Sequence, residues 1–198
     1  MAEYCLPEGM RYATLKERRE FYTLEFDLSK VAQWFEKCVD RVKFAVIIGR
    51  HTKIYPEKYR EDADITIIVD EYQALSEVRD QIIEFLPESA YYDRNIYDEK
   101  DHKTGQELAF DLDPENLTCP IHGTLEDKMK RHQGLAFCEL ELSMVKEETI
   151  KLHEELEKEF SQMRVIYSGR GFHVHVFDKG PFKWSYRKKL TLAKELKK

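Results

Sequence analysis

The chain has 198 residues, 42% hydrophobic and 12% aromatic, enough apolar material for a packed core, which excludes wholesale disorder. Its 32 Lys+Arg stand against 38 Asp+Glu, a net charge of −6, so any contact with nucleic acid needs a local patch rather than a global basic field. Four cysteines are too few for a disulfide scaffold at this length and fit a reducing compartment or a metal site. The start, Met-Ala-Glu-Tyr-Cys, lacks the basic-then-apolar pattern of a secretory signal. From there, Leu15, Phe21, Leu24, Val31, Trp34, Phe35 and Cys38 recur at spacings of three and four, which predicts helix across 12–40, with Asp27 or Ser29 capping a second segment. Phe44–Ile48, the longest fully apolar run, and residues 65–69 predict strands; a run that short excludes a transmembrane helix. A cytoplasmic protein with no membrane partner is expected. Residues 76–86 predict a helix halted by Pro87, 91–97 an aromatic strand, and 98–105 a polar turn.

Residues 107–113 form the clearest strand pattern, ended by Pro114, and 118–138 reads as irregular. An amphipathic helix is predicted over 139–163, strands over 164–168 and 172–178, and a Lys-rich helix over 185–198. Mixed strands and helices with a hairpin point to one α+β domain spanning 1–198.

Strand side chains alternate, so Leu108, Phe110 and Leu112 face a core while Glu107, Ala109, Asp111 and Asp113 face the other way. Neighbouring carboxylates repel, and a strand gains from placing them together when a cation lies between. Hard oxygens on a rigid strand suit Mg²⁺ or Mn²⁺; the plain alternative is a solvated strand end. In Ser168-Gly-Arg-Gly-Phe-His-Val-His175 two glycines permit a tight turn with Arg170 at its tip, and His173 and His175 share a strand face. A hydroxyl, backbone amides, a guanidinium and an imidazole make an anion site, most naturally for a triphosphate; the alternative is an ordinary hairpin with Arg170 in solvent. Together the two segments describe a two-metal nucleotidyl-transfer site, or, on the chemistry alone, a metal-dependent phosphohydrolase.

Cys119, His122, His132 and Cys138 give C-x2-H-x9-H-x5-C, a spacing compatible with a closed structural Zn²⁺ insertion over 118–138. The alternative packs Cys138 as a small apolar residue and leaves the histidines solvated. Positive charge gathers at Lys179, Lys183, Arg187, Lys188, Lys189, Lys194, Lys197 and Lys198, either to track phosphates or as a solvated or docking face.

Gly105-Gln-Glu-Leu-Ala-Phe-Asp-Leu-Asp113, a Cys/His insertion, a long helix, then Val165-Ile-Tyr-Ser-Gly-Arg-Gly-Phe-His173-Val-His-Val-Phe-Asp178, in that order, resemble the small catalytic subunit of archaeal and eukaryotic DNA primase. Arg18-Arg-Glu-Phe-Tyr22, Val42-Lys-Phe-Ala-Val46 and Leu86-Pro-Glu-Ser-Ala-Tyr-Tyr92 echo the same family, so the resemblance covers roughly 10–180. It implies the primase–polymerase fold and metal-dependent, template-directed synthesis from nucleoside triphosphates. It assigns metal binding to Asp111 and Asp113, triphosphate contact to Ser168, Arg170 and His173, and the Cys/His segment to a zinc knuckle. Template nucleic acid and a large primase subunit are the implied partners. The family's third metal-binding aspartate, on a later strand, has no counterpart in this sequence. Asp178 does not replace it, because it shares strand parity with Val174 and Val176. Three expectations follow: a separate chain supplies the missing part, the protein is a minimal enzyme, or it is a non-catalytic nucleotide- or nucleic-acid-binding relative.

Overall fold

Among the described residues every strand pairing is antiparallel, and helices flank the sheets, the α+β class that the element pattern predicts. The computed structural model describes residues 6–35, 44–48, 67–72, 75–87, 89–131 and 136–196, the strands at 44–48 and 67–72 by their backbone alone. The chain divides into two compact units, one of residues 12–106 and the other of Met1–Arg11 with Glu107–Lys198.

In the 12–106 unit, α1 (Leu15–Glu20) starts from a capping box: Thr14 Oγ1 accepts the Glu17 N–H, and the Glu17 carboxylate accepts the Thr14 N–H at 2.8 Å. A wide π turn, Phe21–Glu25, separates it from α2 (Leu28–Phe35), which Asp27 caps by accepting the Ser29 N–H at 2.8 Å. The second helical segment capped by Asp27 is as the sequence predicts, the turn between the two helices is added by the structure, and the last residues of the stretch, 36–40, lie outside the described residues. The strand β1 (Phe44–Ile48) lies between β2 (Ile67–Tyr72) and β3 (Ser89–Tyr92). The predicted second strand runs on to Tyr72, past its expected end at 69, and its first two residues, 65 and 66, lie outside the described residues. The apolar stripe of α3 (Leu75–Phe85) buries Val78, Ile82 and Phe85. Leu86 follows with φ of 45° and Pro87 prevents another turn of helix. The carbonyl of Leu86 accepts from the buried Arg18 guanidinium at 3.3 Å, and that of Pro87 accepts from the Tyr22 hydroxyl at 2.9 Å.

The aromatic stretch predicted as one strand breaks at Asp93, whose carboxylate accepts the Asn95 N–H and the Tyr97 hydroxyl. Past the break, β4 (Asn95–Tyr97) pairs with β5 (Lys103–Gln106), so the predicted polar turn is confined to residues near Asp98, whose carboxylate accepts the Lys100 and His102 N–H groups.

In the other unit, β8 (Phe172–Val176) is the middle strand between β6 (Leu108–Leu112) and β7 (Met163–Tyr167). Alternation sends Leu108, Val174 and Val176 to one face, where Leu156 and Phe160 complete a buried cluster. Each fully buried aliphatic side chain there stabilises the fold by about 1.5–3 kcal/mol relative to exposure. Leu156 belongs to α5 (Glu139–Leu156), and Trp184, Leu192 and Leu196 pack against the same cluster from the segment containing α7 (Tyr186–Glu195). The amphipathic pattern overran the real end of α5. Asp178 draws the chain out of the helix by accepting from the Ser161 and Gln162 N–H groups at 3.2 and 2.9 Å, which starts β7 at Met163. Two short helices, α4 (Leu125–Lys130) and α6 (Lys179–Phe182), were not predicted. Among the described residues no helix is long and apolar enough to cross a membrane.

Candidate functional site

The second face of the β6–β8–β7 sheet is polar. Cross-strand register sets Ala109 opposite His175 and Asp111 opposite His173, so the alternation read from sequence places these side chains on one side. Asp111 is 66% exposed at its side chain, with its Oδ1 3.2 Å from His173 Nε2. Glu107, four residues before Asp111 on β6, and His175, two residues beyond His173 on β8, form a buried pair through Nδ1. His175 stacks on Phe177, and Phe177 in turn lies 5.4 Å below the Arg164 guanidinium. The polar face thus has a buried half and a solvent-facing half, and Asp111 and His173 are in the latter.

The turn from β7 to β8 is built by Ser168 and the glycines. Ser168 N–H donates to Gly171 O at 2.9 Å, while its hydroxyl oxygen accepts the Gly171 N–H at 3.1 Å. Ser168 therefore spends its hydrogen bonds in closing the turn, and the Gly171 amide points inward rather than into an anion pocket. Gly169 has φ of +95°, open to glycine and costly for other residues. Gly171 is required for a different reason: a Cβ there would overlap Leu112 O and Asp113 Oδ1. That close approach brings the turn against the end of β6. Arg170 then folds back from the tip. Its Nη2 donates to Asp113 Oδ2 at 2.9 Å and to Glu115 Oε1 at 2.8 Å, with all three side chains largely buried. The other oxygen of Glu115 is buried with no hydrogen-bond partner. The predicted carboxylates and turn thus meet at one corner of the sheet, in two pairs: Asp111 with His173, and Asp113 with Arg170.

Asp178 lies away from this grouping in its bonding, since its carboxylate serves Ser161 and Gln162. Burial alone would raise its pKa, but the hydrogen bonds from Gln162 and Ser161 outweigh that and hold it below the usual carboxylate range.

Among the described residues one group of three or more metal-ligating side chains converges: Cys119, His122, Cys138 and Glu141, their donor atoms all within 4.8 Å of one another. The local chain makes the first two neighbours. Cys119 and Gly123 exchange backbone hydrogen bonds of 2.9 and 2.7 Å, and Gly123 takes φ of +77° to close the knuckle. Thr124 then caps α4 by accepting the Asp127 N–H. Cys138 occupies the N-cap position of α5, and Glu141 at N3 reaches back so that its Oε2 accepts the Cys138 N–H at 2.8 Å. Glu141 is fully buried, and its Oε1 pairs with the equally buried Lys128 at 2.7 Å. His132, the remaining predicted ligand, lies outside the described residues.

The donor set fits a tetrahedral Zn²⁺. With Zn–S near 2.3 Å and Zn–N near 2.05 Å, ideal edges come to about 3.8 Å for S···S and about 3.6 Å for S···N. The observed separations are 4.0 Å between Cys119 and Cys138 Sγ and 3.5 Å from Cys119 Sγ to His122 Nδ1. Burial, then the nearby Glu141 charge, pushes the Cys138 thiol up, which argues against a reactive nucleophile.

Three participants escaped the sequence reading: Glu115, the Glu107–His175 pairing and Glu141. For Glu141 a signal existed, the cap-x-x-Glu spacing after Cys138, but cysteine is not a usual cap residue.

No family model matches the chain. It is 46% identical, over 97% of its length, to an uncharacterized DNA primase small subunit-like protein of Archaeoglobus fulgidus, of which it covers 75%. DNA primase small subunits PriS of Pyrococcus horikoshii and Thermococcus kodakarensis are 26% and 28% identical across 88% of the chain. The chain spans 46% of the length of each of those two subunits. By its identity and coverage against the Archaeoglobus relative, the chain belongs to the DNA primase small subunit-like family.

Proposed function

We propose that this chain carries a primase-type nucleotidyltransferase site, with Asp111 and Asp113 holding Mg²⁺ or Mn²⁺ and Arg170 and His173 facing the triphosphate of an incoming nucleotide. The carrying observation is the corner where β6 meets the 168–171 turn, which gathers two carboxylates, a guanidinium and an imidazole. The exposed Asp111 oxygens and the partly buried Asp113 are hard donors that suit such a cation. When bound, the metal supplies charge neutralisation of the triphosphate and activation of an attacking hydroxyl. The chain's own groups do the rest. Arg170 offers its guanidinium to phosphate oxygens, and His173, held by Asp111, presents a ring nitrogen at the same corner. Ser168 acts through the backbone by fixing the turn that places Arg170. The primase–polymerase fold, a single catalytic domain, template nucleic acid and a large-subunit partner belong to the same proposal, supported by the family relationship. Cys119, His122, Cys138 and Glu141 would hold a structural Zn²⁺.

The test is Mn²⁺-dependent binding of a nucleoside triphosphate, followed by extension of a primed template, in wild type and Asp111→Ala. Loss of Mn²⁺-dependent binding in the variant is expected. Unchanged binding would show that the metal assignment is wrong.

A further inference from the structure

The C-terminal segment is an electrostatic exception in this chain. Between 179 and 196 there are six Lys or Arg and one acid, Glu195, a local charge of +5 in a protein of net −6. Folding does not demand this arrangement. Trp184, Leu192 and Leu196 supply the packing, while Lys183, Arg187, Lys188 and Lys194 are exposed and have no carboxylate partner among the described residues. Arg187 and Lys188 sit in the first turn of α7, where the helix dipole favours acids.

Helical spacing gathers the exposed residues. Tyr186, Leu190 and Lys194 follow one another at i, i+4 and i+8, with Arg187 beside them, opposite the face that carries Leu192 and Leu196. Tyr186 is 77% exposed, an open aromatic face amid cations. Lys188 lies 3.8 Å from the centre of the Trp184 ring and covers it, so Tyr186 is the ring left available. Lys189 Nζ reaches Glu107 O at 3.5 Å, which ties α7 to the start of β6. At about 3.4 Å per residue, that point is about 14 Å along the strand from Asp111.

We propose that the outer face of α7 binds single-stranded nucleic acid, with Tyr186 stacking on a base and Lys183, Arg187 and Lys194 contacting phosphates. A duplex keeps its base faces stacked inside and leaves Tyr186 nothing to stack on. An anionic membrane needs a broad apolar face, and this side of α7 offers two residues, Tyr186 and Leu190. In the nucleotidyltransferase reading this strand is the template, but its binding requires neither Asp111 nor Asp113.

The experiment follows binding of a fluorescent oligothymidylate of about 16 nucleotides by anisotropy across a salt series. Wild type is compared with Lys183→Glu/Arg187→Glu/Lys194→Glu, with Tyr186→Ala and with Asp111→Ala. Three phosphate contacts predict a slope of log K against log salt of about −2.1, and the triple variant should flatten it by about 2. Tyr186→Ala should weaken binding by at least about fivefold without changing the slope. The altered side chains are exposed, and matching melting curves confirm folding. Should a variant fail to fold, photocrosslinking of a 5-iodouridine oligonucleotide to wild type, with the adduct mapped to Tyr186 or elsewhere, answers the same question. The proposal is overturned by an unchanged slope in the triple variant, by an unaltered affinity in Tyr186→Ala, by a duplex or anionic vesicle binding more tightly than the single strand, or by crosslinks that avoid α7. Asp111→Ala should bind the strand like wild type. Strand binding retained there while Mn²⁺-dependent nucleotide binding is also unchanged would refute the metal-site reading and leave this surface standing.

Discussion

Replacing Lys128 by Met separates the packing role of Glu141 from a role in holding Zn²⁺. Lys128 is 2% exposed and Glu141 0%, at 2.7 Å, and Lys128 also donates to Ala136 O at 3.0 Å. Without a metal, Lys128→Met leaves a fully buried carboxylate with only the His122 ring, 3.7 Å from its Oε2, in place of its lysine, a cost of about 3–5 kcal/mol. For a chain of this size, each kcal/mol corresponds to about 2–4 °C, so melting should fall by about 6–20 °C in the presence of a chelator. With Zn²⁺ bound the carboxylate keeps a cation through Oε2, and the remaining cost is the orphaned Ala136 carbonyl, about 1–3 kcal/mol. Thermal melts of wild type and variant, each with stoichiometric Zn²⁺ and with chelator, read the difference. Equal losses in both conditions, or wild type that retains no zinc, would refute the reasoning.

Substitution of the two turn glycines by alanine should separate strain from steric overlap. Gly169→Ala meets no atom within 4 Å and pays for its positive φ, about 1 kcal/mol, whereas Gly171→Ala must displace Leu112 O or Asp113 and should cost more, together with triphosphate binding; chemical denaturation and nucleotide titration measure both, and equal effects would argue against the close approach. Asp178 has its carboxyl pKa depressed in the fold, so its stabilisation is present above the unfolded aspartate value and is lost as pH falls through the folded one. Asp178→Asn should accordingly melt lower than wild type at neutral pH, and the gap should close at acid pH below the ordinary aspartate range; a pH-independent gap would show that the hydrogen bonds to Ser161 and Gln162 do not depend on the charge.

The polar corner was legible because a strand has period two. Once 107–113 and 172–178 were read as strands, the shared faces of Asp111 with Asp113 and of His173 with His175 followed, and the register set Asp111 opposite His173. The fate of each polar group was not legible, since it depends on partners distant in sequence. His175 reads like His173 in the pattern, yet Glu107, 68 residues away, takes it into the interior. Arg170 reads as a solvated tip until Gly171 is seen to bring the turn onto Asp113. Helix 125–130 was hidden for a different reason. Its capping box, Thr124 with Asp127, was present in the sequence but lay inside a stretch whose Cys, His, Pro and Gly content reads as loop. The overrun of α5 has a long-range cause, because Asp178 claims the Ser161 and Gln162 amides from 17 and 16 residues away.

The Arg170 bridge has a thermodynamic consequence. With its guanidinium spanning Asp113 and Glu115, the chain supplies its own counter-ion at the carboxylate proposed for the metal. A divalent ion approaching Asp113 alone must therefore compete with a tethered cation, while an anion that draws Arg170 aside uncovers the carboxylate. Linkage then makes the effect mutual: whatever factor the anion contributes to cation affinity, the cation returns to the anion. On the proposed reading, the corner would act as an exchange of ion partners, in which neither solute need bind tightly by itself for the two to bind well together.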